Sequence, residues 1–99
     1  MVEIIDRKGV REYVRKAFKD LAEKSLGEYK WKKGSYGGSL QKTGIRKRTL
    51  ADAHPLKLNE FCLNVYDSSD LGIAFKQDIE NIGKELEKKF GLKVYLIIS

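Results

Sequence analysis

The chain has 99 residues, 41% hydrophobic and 34% charged, with a formal net charge of +6 and a single cysteine. A chain of this length buries about 65% of its unfolded surface on folding, enough for one modest core, so the sequence predicts a single domain over residues 1–99. Within these residues the lone Cys62 excludes an intramolecular disulfide and a cysteine-rich zinc site, and no apolar run approaches the ~18 residues of a membrane span. One proline and no low-complexity tract argue against long disorder.

"VEII" (Val2–Ile5) reads as a short strand, and Asp6 offers an N-cap for a helix after it. Apolar residues then recur at Val10, Val14, Ala17, Phe18, Leu21 and Leu26, the spacing of one helical face, over about Lys8 to Leu26. The opposite side pairs Glu12 with Lys16 and Lys19 with Glu23 four residues apart, and Gly27 is a stop signal. Its cations Arg7, Lys8, Arg11, Arg15 and Lys19 form a broken basic stripe, read as an exposed, salt-bridged face.

"EYKWKK" alternates Tyr29 and Trp31 with Lys30 and Lys32, which predicts a strand with an aromatic face turned inward and a basic face turned outward. "GSYGGS" supplies a turn, and "LQKTGIRKR" is expected to return as the second strand of a hairpin, with Gly44 as a bulge. "TLADAHP" reads as an irregular link in which Pro55 keeps His54 extended. "KLNEFCLNVYD" is a strand with Phe61, Leu63 and Val65 on one side and Cys62, Asn64 and Tyr66 on the other.

"DSSDLG" is a turn in which Asp70 suits a helix N-terminus. Phe75, Ile79, Ile82, Leu86 and Phe90 form the stripe of a second helix from about Ile73, stopped by Gly91. Gly83 beside that stripe implies close backbone packing. "KVYLIIS" is almost continuously apolar, so its expected place is inside the sheet. The predicted fold is α+β: a two-layer sandwich of order α-β-β-β-α-β, a mostly antiparallel sheet with two helices on one face.

Charge is concentrated in the middle third. Residues 28–57 hold eight basic and two acidic residues, while the remainder of the chain is balanced. Clustered cations attract phosphate backbones, and neighbouring aromatics stack on unpaired bases. Lys30, Lys32, Lys33, Tyr36, Lys42, Arg46, Lys47 and Arg48 are therefore the candidate nucleic-acid-binding residues, with Tyr36 in the turn as the exposed aromatic. The competing reading is a solvated hairpin whose lysines discourage edge pairing.

The glycine turn lacks the spacing of a phosphate-binding loop and has no helix after it, so it is read as a turn. His54, with Arg46, Arg48 and Lys57, is the one acid–base constellation a ribonuclease could use. Cys62 beside His54 is read as a buried small hydrophobe, not a nucleophile. No metal or cofactor pattern occurs.

The element order resembles that of the double-stranded RNA-binding domain, but the start of the last helix, "DSSDLGIAFKQD", is acidic where that family is lysine-rich, so its function is not carried over. "VREYVRKAFKDLAEK" followed by "YKWKKGSYGGSL" resembles a small domain of large polyvalent proteins of phages and conjugative elements, over about the first 40 residues. That likeness implies a mobile-element origin and no particular chemistry.

The function expected from these residues is a small, basic, non-enzymatic nucleic-acid-binding domain, cytoplasmic and without a cofactor, its partner DNA or RNA. The alternative partner is an acidic protein surface. The chain would then be a phage or mobile-element interaction module: an inhibitor of a host nucleic-acid machine, or a virion-assembly component.

Overall fold

A computed structural model describes residues 7–34, 36–44, 48–56, 59–66 and 72–98. The segment "VEII" with Asp6, and most of the turn "DSSDLG" including Asp70, lie outside them. The described elements, in chain order, are α1 (Arg7–Lys24), β1 (Tyr29–Lys32), β2 (Ser39–Lys42), β3 (Thr49–Pro55), β4 (Glu60–Val65), α2 (Gly72–Phe90) and β5 (Lys93–Ile98). The strands lie in sequence order in one sheet, antiparallel from β1 to β4, with β5 parallel to β4.

The α+β class and the mostly antiparallel sheet are as expected, but the order is α-β-β-β-β-α-β. The extra strand is "TLADAHP", expected to be irregular. Its alanines and polar residues give little β signal. What makes it a strand is packing: Ala51 and Ala53 face the core while Asp52 and His54 face away. With this strand the likeness to the double-stranded RNA-binding order is lost. The returning strand of the hairpin is correspondingly short, and residues 45–47 lie outside the described set. Gly44 has a φ of 119° after β2, but the register shift between β2 and β3 falls at Leu40/Gln41. There Leu50 and Ala51 are consecutive and both buried.

Val10, Val14, Phe18 and Leu21 of α1 join Phe75, Ile79, Ile82 and Leu86 of α2 in one core with Tyr29, Leu40, Ala51, Phe61, Leu63 and Val65. Both helices therefore cover the same face of the sheet. Leu26 does not belong to the α1 stripe. The helix ends at Lys24, Leu26 and Gly27 take positive φ values of 57° and 90°, and Leu26 is 94% exposed. The Ser25 hydroxyl holds that turn by accepting the Tyr29 N–H at 3.2 Å, and Thr43 Oγ1 donates to the Gly27 carbonyl at 2.6 Å, tying β2 to it. Gly83 is buried, and a Cβ there would sit 3.2 Å from Val94 Cγ1, the close approach its sequence position implies.

The expected interior position of β5 is not found. Among the described residues it is an edge strand, paired only with β4, and Ile97 and Ile98 are 48% and 45% exposed. Continuous apolarity there does not reflect cover on both sides.

The glycine turn serves α1. Gly37 has a φ of 83°, and a Cβ on it would lie 2.7 Å from Val14 Cγ1 and 2.9 Å from the Arg15 nitrogen. Gly37→Ala is expected to cost about 2–3 kcal/mol through backbone strain and this collision. Urea unfolding would show a lower midpoint with an unchanged slope.

Candidate functional site

Alternation in β1 and β2 assigns the candidates Lys30, Lys32 and Lys42 to a face. Lys30 and Lys32 are exposed and pair with Gln41 and Ser39, on the sheet face away from the helices. Tyr29 is buried on the helix side, edge-on to Phe75 at 5.2 Å. Trp31 is half-buried there, donating from Nε1 to the Gly37 carbonyl at 2.7 Å under Lys19 Nζ, 4.5 Å from its ring. The strand thus has the aromatic and basic faces that its alternation predicts.

Two expectations about the patch change. Lys42 is opposite Tyr29 in register, so it lies on the helix side, away from Lys30 and Lys32. Tyr36 is not a projecting aromatic. It is half-buried, 5.7 Å from the Phe61 ring, with Arg11 5.4 Å from its own ring. A tyrosine in a glycine-rich turn is expected to project, but here the turn folds back over the core. Lys33 and Arg48 are exposed, and the Arg48 carbonyl accepts the Lys42 N–H at 2.9 Å. Arg46 and Lys47 lie outside the described residues, as does Lys57.

Among the described residues no helix packs on the face that carries Lys30 and Lys32. Its other residues are Ser39, Gln41, Asp52, His54, Glu60, Cys62, Asn64, Lys93, Tyr95 and Ile97, placed by the registers of all five strands. Tyr66 follows β4 and reaches Asp52 on this face. The sequence gives no local signal of this grouping, because β3 is the strand that brings Asp52 and His54 beside Asn64 and Cys62.

The centre of the face is a polar network around Asn64, a buried amide. Asn64 Nδ2 donates to Asp52 Oδ1 at 3.0 Å and lies 3.2 Å from His54 Nδ1. Asn64 Oδ1 accepts from Cys62 Sγ at 3.3 Å. The Tyr66 hydroxyl donates to the Asp52 carboxylate at 3.2 Å. A carboxylate only accepts, so Asp52 fixes which end of the Asn64 amide faces it. The amide nitrogen then meets His54 Nδ1, which must accept. In the neutral ring the proton rests on Nε2. His54 so held presents a donor, which is poor geometry for a general base.

The chemistry of the neighbours agrees. Burial pushes the Cys62 thiol up, and the Asp52 charge adds to it, so the thiolate needed of a nucleophile is disfavoured. Burial, then the Asp52 carboxylate, also raises the Tyr66 phenol above its ordinary value. Beside the network a depression of about 250 Å³ is lined by Gly34, Tyr36, Gly38, Ser39, Asp52 and His54. Toward β5, Tyr95 donates to Glu60 Oε2 at 3.2 Å, and Lys93 Nζ lies 5.3 Å from the Tyr95 ring. Among the described residues no group of three or more His, Cys, Asp or Glu is placed to hold a metal ion. No described helix is long and apolar enough to cross a membrane.

Comparison with family models, curated proteins and solved structures finds no match to this chain.

The network makes the stability of the domain sensitive to two substitutions. Asn64→Asp sets a second carboxylate against Asp52 and removes the donor to His54. It should cost at least about 2 kcal/mol at neutral pH, and the deficit relative to wild type should shrink at mildly acidic pH, where one of the pair is protonated. Urea midpoints of both proteins at the two pH values check this. Tyr66→Phe should cost about 1 kcal/mol at neutral pH. A phenol with a raised folded pKa contributes stability that is present below its unfolded value, about 10, and is lost as pH rises through the folded value. The gap between wild type and Tyr66→Phe should therefore close only in strongly alkaline solution, as denaturation at stepped pH would show.

Proposed function

We propose that the chain binds nucleic acid without catalysis, through the helix-free face of the sheet together with the basic residues of the segment 28–57. The supporting observation is that this face carries Lys30 and Lys32 together at its β1 edge, with Lys33 at the strand's end and the rings of Tyr66 and Tyr95 on the same side. Cations at the rim neutralise phosphate, and a sheet surface bearing aromatics suits unstacked bases better than a duplex groove. The two acids on the face do not oppose this strongly, since Asp52 accepts from Asn64 and Tyr66, and Glu60 from Tyr95. The grouping replaces Tyr36 with Tyr66 and Tyr95 as the aromatic element, and the concentration of the chain's net charge in residues 28–57 supports it.

A second reading has one observation in its favour. The apolar edge of β5, unpaired among the described residues, suits a protein-interaction module of a phage or mobile element, with Lys30 and Lys32 docking on an acidic protein. A pull-down from nuclease-treated lysate separates the two, because only a protein partner survives the nuclease.

Fluorescence titration with single- and double-stranded DNA and RNA at two salt concentrations tests the first reading. Binding should fall steeply with salt and be stronger for single strands. Lys30→Ala with Lys32→Ala should weaken it several-fold and reduce the salt slope by about 1.4 on single strands. Arg46→Ala with Arg48→Ala should weaken it on all sequences alike. Lys88→Ala, in the last turn of α2, should leave it unchanged. Undetectable binding at low salt would reject the reading.

A further inference from the structure

The two edges of the sheet are treated differently. β1 is four residues long and shows Lys30 and Lys32, a combination that deters another strand from pairing there. β5 is six residues long, and after Lys93 it carries no charge. Ile97, on the helix-free face, and Ile98, on the helix side, are both about half exposed.

The backbone of β5 shows which groups remain for a partner. The Lys93 N–H donates to the Asn59 carbonyl at 2.8 Å, toward β4, and the Val94 N–H turns the other way and donates to Glu87 Oε2 at 3.0 Å. Alternation along the strand then points the N–H and C=O of Leu96 and Ile98 away from β4. Glu87 thus caps the first outward donor and leaves, among the described residues, a two-residue edge, Leu96 and Ile98. Beside it a groove of about 180 Å³ runs between α2 and β5, with an apolar floor of Leu63, Ile79, Gly83, Val94 and Leu96 and a rim of Glu80, Lys84 and Glu87. A space of that order admits one aliphatic side chain.

We propose that the occupant of this edge is a second copy of the chain, paired antiparallel through β5 about a two-fold axis at Ile97. A two-fold makes the same patch meet itself, so the patch must be self-complementary, and this one is. Leu96 of one copy pairs with Ile98 of the other, and each presents the outward N–H and C=O that the other lacks. Ile97 faces its own equivalent in a non-hydrogen-bonded pair, where side chains approach most closely. Ile98 of each copy enters the groove beside Leu96 of its partner. The Glu87 cap stays in place, which keeps the new ladder short and its register fixed. The assembly closes at two copies, because the other edge of the described sheet is the lysine-bearing β1. The dimer stands on the edge geometry and does not rest on nucleic-acid binding.

Sedimentation equilibrium of the full chain, from dilute to concentrated solution, is expected to show a monomer–dimer equilibrium and no larger species. Ile97→Lys should weaken dimerisation at least tenfold with an unchanged far-UV circular dichroism spectrum, since the side chain is already half exposed. Ile97→Cys treated with oxidised glutathione should form a disulfide-linked dimer, because facing residues in such a pair lie about 4.5 Å apart at Cα, within disulfide range. Wild type, whose only thiol is the buried Cys62, should not cross-link. A monomer at every concentration would overturn the proposal and leave the edge to a different protein. Open-ended polymers, or a dimer that survives Ile97→Lys and does not cross-link through Ile97→Cys, would overturn it equally.

Discussion

The arrangement of the helix-free face depends on satisfying one buried amide. Both helices lie on the other side, so Asn64 has no helix to bury it, and the side chains around it must supply both cover and partners. An unpaired buried amide costs about 1–3 kcal/mol, which makes its neighbours interdependent. Both Nδ2 hydrogens are used, one on Asp52 and one toward His54, and Oδ1 takes the Cys62 thiol. Asp52 in turn is held by Tyr66, which anchors the chain just past β4. Residues that look independent in the sequence form one unit spanning β3 and β4.

That unit also constrains what the face can do chemically. A histidine, an aspartate and a cysteine within one cluster invite a catalytic reading. The hydrogen-bond directions oppose it. The acceptor on Asp52 orients the amide, the amide makes His54 Nδ1 an acceptor, and Nε2 is left as a donor. The thiol is buried and disfavoured as an anion. A ring nitrogen left as a donor beside a shallow depression is poorly placed to take up a proton. Lys30 and Lys32 stand at the β1 rim of the same face, apart from this network on β3 and β4.

How much of the fold and the site is legible in the sequence depends on where the physical signal lies. Both helices are legible because their stripes, Val10–Val14–Phe18–Leu21 and Phe75–Ile79–Ile82–Leu86, are local periodic patterns. The two faces of β1 are legible for the same reason. β3 is not, because Ala51 and Ala53 carry little strand signal of their own, and their burial and pairing with β4 are tertiary facts. The polar network shares the fate of β3, since without that strand nothing brings Asp52 to Asn64. Tyr36 is misplaced by a sequence reading because its position depends on the turn folding back onto Phe61, with Gly37 against Val14. The apolar run of β5 reads as buried on both sides, yet among the described residues it is the last strand of the sheet.

The β5 discrepancy carries physical content. Sequence apolarity reports what a segment gains by leaving water, not which neighbour removes it from water. In Tyr29 and Phe61 the neighbour is the chain's own core, and burial is nearly complete. In Ile97 and Ile98 the same chemistry is present and the neighbour is missing among the described residues. A globular domain tolerates scattered exposed aliphatics, but an unpaired strand edge adds directional hydrogen-bonding groups to them, the combination that the proposed pairing through β5 would use. The asymmetry between the lysines on β1 and the isoleucines on β5 therefore gives the sheet a direction: one edge deters pairing and the other favours it.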